Sequence, residues 1–388
     1  MTTAPIEPAS RKIEIVSHIA DIPTAGWQAL AGADNPFLDH GFFLALEKSH
    51  SATAETGWLG RHYVLRDEKG EIIGILPSYV KGHSQGEYVF DHNWAHAYDR
   101  AFAPDHGRYY PKLLSAVPFT PSGTPKLLAQ NDDTARILIK AQQQDCINLG
   151  LSSAHALFLP PSDLALFKEA DYLERRDVQY HWLNDGYASF DAFLSSLSSR
   201  KRKTIRRERK DAMQTGIEIE ELNGADITEA HWDAFFEFYT DTGTRKWGQP
   251  YLTREFFSMI GASMAEKILL VMARRGERYL GGAINFIGTN TLFGRYWGAT
   301  EHVPFLHFEV CYYRAIDFAI RNGLSRIEAG AQGEHKVARG YSPVTTHSAH
   351  FFPNPGFQDA VSRYLDDEID AIEDYAREVA SRGPYKKA

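Results

Sequence analysis

The chain contains a copy of part of itself, and this repeat limits what it can fold into. Tyr88 to Ala95 reads YVFDHNWA and Thr291 to Gly298 reads TLFGRYWG; Phe90 aligns with Phe293, Trp94 with Trp297 and Tyr109-Tyr110 with Tyr312-Tyr313, all at an offset of 203. After a gap the match resumes. Gly150-Leu151-Ser152 aligns with Gly323-Leu324-Ser325, and Ala170-Asp171-Tyr172 through Tyr180-His181-Trp182 with Arg339-Gly340-Tyr341 through Ala349-His350-Phe351. Self-similarity on this scale predicts two like domains in tandem, expected over residues 1–185 and 186–388, and a chain of 388 residues is long enough for two cores. The copies differ most between those anchors. The first reads FLPPSDLALFKEA (Phe158 to Ala170) where the second reads GAQGEHKVAR (Gly330 to Arg339), so one slot is apolar in one domain and rich in ionisable groups in the other.

Apolar runs bounded by turn residues predict strands at His62 to Arg66, Ile72 to Val80 and Glu87 to Trp94. Asn131 or Asp132-Asp133 caps a helix that ends near Asn148 and is closed by Gly150, after which Ala154 to Leu159 returns as a strand. The second copy repeats the order, with strands at Ile268 to Ala273, Tyr279 to Ile287 and Thr291 to Trp297, a helix from Phe308 to Arg321, and a strand at Arg326 to Ala329. Each unit is then a mixed sheet with a crossover helix, which makes the class α/β (α+β). Pro355-Gly356 opens a C-terminal helix over 357–380, with Phe357, Val361, Tyr364, Leu365, Ile369, Ile372 and Val379 on one face.

Composition removes several classes of function. A net charge of -8 argues against a surface coated with nucleic-acid-binding charge, so any polyanion must meet a local patch. Such a patch exists: Arg200 to Lys210 holds eight basic residues in eleven, and Ser198 or Ser199 with Gly216 frames it as a basic helix over 199–214. It is either a solvated face or a landing site for a phosphorylated or nucleic-acid ligand through Arg206, Arg207 and Lys210. Cys146 and Cys311 are the only cysteines, so no disulfide framework or thiolate metal site is implied and a reducing cytoplasm is expected. The longest apolar run, Ile268 to Ala273, is too short to span a bilayer. P-loop, dinucleotide and nucleophile-elbow motifs are absent from the sequence.

The ionisable slot is the place to look for chemistry. Gly330 and Gly333 let backbone approach a ligand, Glu334 and His335 can accept protons, and Lys336 and Arg339 can hold an anion. Predicted as a strand end entering a helix, the segment would also offer unpaired N–H groups. A second set, Arg295 and Trp297 on the preceding strand with His307, Glu309 and Tyr313 at the start of the helix, faces the same region, and Glu328 is a further base. The bland alternative for these charges is a set of surface salt bridges. Lys246-Trp247, at the start of a segment ending at Tyr251, reads as a loop able to cover a substrate. Asp91, His92, His96 and Asp99 invite a metal reading, but a strand at His92 would deny the helical i, i+4 spacing, so no metal is expected.

Four strings, SRKRKTIRRERKDAMQTGI, KWGQPYLTREFF, GRYWGATEHVPFLHFEVCYYRAI and EAGAQGEHKVARGY, resemble the FemAB-like branch of the GNAT acyltransferase superfamily, a branch linked to peptidoglycan biosynthesis or recognition. The resemblance runs from about Trp58 to Phe352. It implies two GNAT-like domains, transfer of an acyl or aminoacyl group to a small-molecule or peptide amine, no metal and no tightly bound cofactor. The donor it implies is aminoacyl-tRNA or acyl-CoA, with tRNA as a possible partner. One departure bears on the donor: Thr300 to His307 replaces the Gln/Arg-x-x-Gly-x-Gly/Ala loop with which CoA-using relatives hold pyrophosphate. Amide formation needs a base, an acid and donors for an oxyanion. Glu334 or Glu309 is expected as base, His335 or Tyr313 as acid, and Arg295, Lys336 and Arg339 as anion holders. The alternative is a protein of the same fold that binds a peptide or cell-wall precursor without turnover.

Overall fold

The computed structural model describes residues 11–386 except 214–215, 248–249 and 331–332, together with the backbone but not the side chains of 244–247. The first half supplies β1 (Lys12–Val16), β2 (Trp58–Gly60), β3 (His62–Arg66), β4 (Ile72–Leu76), β5 (Tyr79–Lys81), β6 (Lys112–Ser115), β7 (Leu128–Ala129), β8 (Ala154–Ala156) and β9 (Leu173–Leu183). The second supplies β10 (Glu218–Asn223), β11 (Ile268–Arg275), β12 (Arg278–Ile287), β13 (Thr291–Ala299), β14 (Arg326–Glu328) and β15 (Ser342–Phe351). A four-stranded sheet in the order β1-β3-β4-β7 lies beside an eleven-stranded sheet ordered β10-β11-β12-β13-β14-β9-β15-β8-β6-β5-β2.

The centre of the large sheet joins the two domains by exchange. β9, the last strand of the first half, pairs antiparallel with β14; β15, the last strand of the second, pairs antiparallel with β8; and β9 and β15 pair with each other from Ser342↔His181 to His350↔Leu173. On either side stands one parallel pair, β6 with β8 and β13 with β14, each connected by a crossover helix. The repeat therefore matches β6 to β13, β8 to β14 and β9 to β15. The crossover helix Asp132–Asn148 is capped by Asn131, whose side chain accepts from Thr134 N, and both crossover helices are closed by glycines with left-handed backbone, Gly150 at φ +63° and Gly323 at φ +66°.

The earlier block of the repeat is misaligned. Glu87 to Trp94 is not a strand: the helix His92–Ala101 begins there and buries Trp94, Ala95 and Tyr98 on one face. Trp297 lies on a strand; Tyr109 and Tyr110 precede β6, whereas Tyr312 and Tyr313 are helical. Large aromatic side chains fill cores in either periodicity, so matching letters did not mean matching elements. The predicted strand Ile72 to Val80 is two strands, split after Leu76 where Pro77 withholds a ladder donor; β4 stays in the small sheet and β5 joins the large one. The C-terminal helix Pro355–Ser381 buries Phe357, Val361, Leu365 and Val379 and packs over β9 and β15. The largest core cluster draws on both halves, setting Trp27, Phe37 and Trp58 against Trp232, Phe257 and Phe286.

Candidate functional site

The second domain's parallel pair opens almost as soon as it forms. β13 pairs with β14 only from Thr291↔Arg326 to Phe293↔Glu328, then continues to Ala299 while the other chain leaves the sheet. At the divergence Ile284 faces Tyr296 but Asn285 faces Gly294, which leaves Arg295 as the extra residue of a β-bulge. A bulge re-aims its side chain. Arg295 Nη2 donates to Phe119 O of the first domain at 2.6 Å, with the guanidinium 5.3 Å from the Phe37 ring. The departing chain turns at Gly330 (φ +78°) and Gly333 (φ +119°), conformations that favour glycine. It then enters a 3-10 turn, Glu334–Arg339, where the sequence predicted a helix. With no α-helix there, the anion-binding N-terminus expected from the sequence is not formed.

A cavity of about 260 Å³ lies where β9 passes this loop and the C-terminal helix, lined in part by Tyr88, Phe90, Asp177, Tyr180, Glu334 and Tyr375. Tyr375 donates to Glu334 Oε1 at 2.7 Å and shares a hydrogen bond with the Tyr180 hydroxyl at 2.8 Å. Asp177 Oδ1 accepts the N–H of Val178 at 2.7 Å, and burial pushes the Asp177 carboxyl above its usual range. Among the described residues the lining has two carboxylates and several aromatic rings but no lysine, arginine or histidine; Arg382 stands 3.8 Å from Glu334 Oε2, and the Lys336 ammonium lies 6.0 Å from the Tyr180 ring. Across Phe90 and Asp177 a smaller pocket of about 110 Å³ adjoins it, where Arg175 and Arg176 appear. Behind the loop, buried Lys336 donates to Gly330 O at 3.1 Å, and burial pulls its ammonium down to about 8.

Other sequence candidates have different surroundings. Glu309 is buried and accepts two bonds from Arg209, both at 2.9 Å, and one from Arg314 at 2.8 Å. A carboxylate whose two oxygens are held by two guanidinium groups is a structural anchor. Tyr313 is buried and donates to Glu208, and Arg339 meets the same Glu208 through Nη2 at 3.0 Å while stacking on Phe308. The expected acid and one expected anion holder thus fasten the basic helix Ser199–Met213, which carries Glu208, to the second domain. Glu328 is buried, takes a hydrogen bond from Ser122 at 2.8 Å, is pushed up by burial, and faces His181 across β14 and β9. Burial holds that histidine down at about 4. His335 bonds the Tyr312 hydroxyl at 2.9 Å beside His307, whose ring lies 5.4 Å from that of Trp297, and none of these lines the cavity.

Lys246 and Trp247 end the helix Glu229–Trp247, where the sequence reading placed a loop. Their side chains lie outside the described residues, as do Gly248, Gln249, Ala331 and Gln332. Arg206, Arg207 and Lys210 are exposed on the basic helix. His92 and His96 are one turn apart on a helix after all, yet among the described residues no group of three His, Cys, Asp or Glu is placed to hold a metal ion. Nor does any helix among them have the length and apolarity to cross a membrane. Sequence reasoning missed Asp177, Tyr180, Tyr375 and Tyr88. An aspartate inside the strand LERRDVQYHWL, where that residue type is disfavoured, was the one available signal for Asp177.

The sequence profile of the FemAB-like family, described by peptidoglycan biosynthesis/recognition, matches residues 18–387. The chain belongs to the FemAB-like family. The fold of this FemAB-like protein is similar to that of FemX, at 11% identity and a TM-score of 0.52 over 88% of this chain and 98% of that one. It is also similar to L-PGS from Bacillus licheniformis, at 9% identity and a TM-score of 0.50 over 86% and 98%. A conserved protein of unknown function from Bacteroides thetaiotaomicron shares 12% identity, with a TM-score of 0.51 over 87% and 99%. No curated protein matches the FemAB-like sequence.

Proposed function

We propose that this FemAB-like protein is an N-acyltransferase whose acceptor amine binds in the cavity beside Glu334. The observation that carries the reading is the chemistry of the lining: two carboxylates, Asp177 and Glu334, set among the rings of Tyr88, Phe90, Tyr180 and Tyr375. Carboxylates and ring faces both attract an ammonium. Glu334 takes the proton that must leave before nitrogen can attack an acyl carbonyl, and Tyr375 fixes one of its oxygens. Lys336, already cationic and buried behind the loop, holds negative charge that develops on the acyl oxygen. Family membership supports a transferase acting on a peptidoglycan-related amine, and the alternative, recognition without turnover, uses the same cavity.

The test is mass spectrometry of candidate amines, including peptidoglycan precursor peptides, incubated with acyl thioesters or with charged tRNA. Wild-type protein is expected to modify an amine, and Glu334→Gln and Asp177→Asn to lose most of that rate. Full transfer by both variants would remove the cavity from the reaction. Amine binding without product under every donor would leave the recognition reading.

A further inference from the structure

The cavity beside Glu334 does not end at Phe90. Phe90 and Asp177 line it and also line the smaller pocket of about 110 Å³, so the two spaces join at a neck made by that ring and that carboxylate. The C-terminal helix runs along both. Tyr375 lies in the cavity and Glu368 and Ile372 in the pocket, at the i, i+4, i+7 spacing of one helix face. At about 1.5 Å of rise per residue, the joint groove follows the helix for about 10 Å. Phe90 is half exposed at the neck.

The cations of the groove already have partners. In the pocket, Arg175 holds Glu368 through Nε at 2.7 Å and Nη2 at 2.8 Å, and Arg176 holds Glu174 through Nε at 2.7 Å and also bonds Glu373. His347 Nδ1 meets the same Glu174 at 3.1 Å. Asp177, at the neck, accepts the N–H of Val178 on Oδ1 and forms no ion pair among the described residues. At the other end Glu334 takes the Tyr375 hydroxyl, and its ion pair with Arg382 is a long one at 3.8 Å. The helix deepens the negative field. Pro355–Ser381 carries eight carboxylates against two arginines, and its exposed Asp366, Asp367 and Asp370 form no ion pair among the described residues, so cations are drawn to this side of the molecule.

We infer that the acceptor carries two ammonium groups joined by a short aliphatic chain, one bound at Glu334 and the other at Asp177. This rests on the acyltransferase reading of the cavity and adds the acceptor class to it. A lone ammonium leaves one of the two carboxylates uncompensated, whereas a second one makes a charge-assisted hydrogen bond there. The rings of Tyr88, Phe90 and Tyr180 cover the methylenes between, and their faces favour the cationic ends. A carboxylate in place of the second ammonium would meet like charge from Asp177 and from the helix. The nitrogen at Glu334 loses its proton and reacts; the other stays protonated and positions the chain. A free diamine and an N-terminal lysine both present this pair of charges.

Calorimetric titration with cadaverine, pentylamine and aminohexanoate at one ionic strength varies only the far group. Cadaverine is expected to bind about tenfold more tightly than pentylamine, the gain from one further charge-assisted contact, with aminohexanoate weakest. Asp177→Asn should bring the cadaverine-to-pentylamine ratio close to one, with folding checked by thermal melting. Equal binding of the two amines to wild type, tightest binding of aminohexanoate, no binding of cadaverine, or a ratio unmoved in folded Asp177→Asn each overturns the inference. Lysyl-alanine amide and its Nα-acetyl derivative separate the two sources. Tighter binding than cadaverine, lost on acetylation, assigns the charges to a peptide, and weaker binding assigns them to a free diamine. Failure of the acyltransferase reading looks different: cadaverine binds with its dependence on Asp177 intact, and no acyl donor modifies it.

Discussion

Tyr375 donates its hydroxyl to Glu334 Oε1 at 2.7 Å and thereby fastens the C-terminal helix to the loop that follows β14. Tyr180 of β9 bonds the same phenol at 2.8 Å, so an exchanged strand, the last helix and the ionisable loop meet at one carboxylate. A carboxylate has about four lone-pair sites, and a single phenol hydrogen bond leaves room for an ammonium.

Glu334→Gln keeps the shape and the Tyr375 contact but removes the base, and kcat/KM for amine acylation is expected to fall by about 10² to 10⁴. Tyr375→Phe keeps the base and removes only its orientation, worth about 1 kcal/mol or roughly fivefold. Steady-state kinetics on both variants checks the order. A Tyr375→Phe loss larger than that of Glu334→Gln would contradict the assignment.

Local signals were legible in the sequence where they acted locally. Asn131 caps the helix Asp132–Asn148 as expected, and Gly150 and Gly323 mark the ends of both crossover helices. The exchange of β9 and β15 was not legible, because strand pairing between residues such as His155 and His350 leaves no mark on either segment alone. The site divided in the same way. The sequence placed Glu334 where a strand end was expected to enter a helix beside a ligand, but no α-helix forms there and its hydroxyl partner lies on a separate helix near the chain end. Glu309 and Tyr313 looked available until the basic helix supplied Arg209 and Glu208. Charge density in the Gly330 to Arg339 slot pointed to function, yet part of it, Arg339, serves the docking of that helix.

Glu208→Gln tests the docking. Arg339 and Glu208 are both almost fully buried, so removing the carboxylate leaves a guanidinium without its counter-charge; the expected loss is about 3–5 kcal/mol of unfolding free energy in urea titration. Glu208→Gln with Arg339→Met restores charge balance and should recover part of that loss. A single variant as stable as wild type would mean that the pair is not what holds the helix.

His155 and His350 meet through their Nδ1 atoms at 2.7 Å across the exchanged strands, and burial holds both rings well below the usual histidine range. Around them stand Tyr109, Ser153 and Ser348 as hydrogen-bond partners, with Lys112, Asp91 and Arg175 as charged neighbours. As pH falls through about 6.5 the unfolded imidazoles gain protons and the folded ones do not, so this contribution is complete above that pH and declines below it. Each ring contributes a slope of up to about 1.4 kcal/mol per pH unit. Burial raises Glu87 to about 7, which opposes the trend, so the informative quantity is a difference. Melting curves of wild type and His155→Gln/His350→Gln between about pH 7.5 and pH 5 should show a shallower acid loss in the double variant. Parallel curves would show that the pair does not take up protons on unfolding.

The outer face of the basic helix remains available for a polyanion. Ile205, Glu208 and Ala212 are buried inward and Arg209 is held by Glu309, whereas Arg206, Arg207 and Lys210 are exposed. The ion pair of Arg206 with Asp191 at 3.0 Å is exposed on both sides and competes weakly with a phosphate. If this stripe binds a phosphate backbone, each neutralised contact lowers the slope of log affinity against log salt by roughly 0.7–0.9. With tRNA as the probe, Arg206→Gln/Arg207→Gln/Lys210→Gln is expected to weaken binding and reduce that slope by about 2. Because Glu208 and Arg209 are untouched, the melting temperature should stay close to wild type. A salt dependence identical to wild type would make the stripe a solvated helix face and leave tRNA without a contact there.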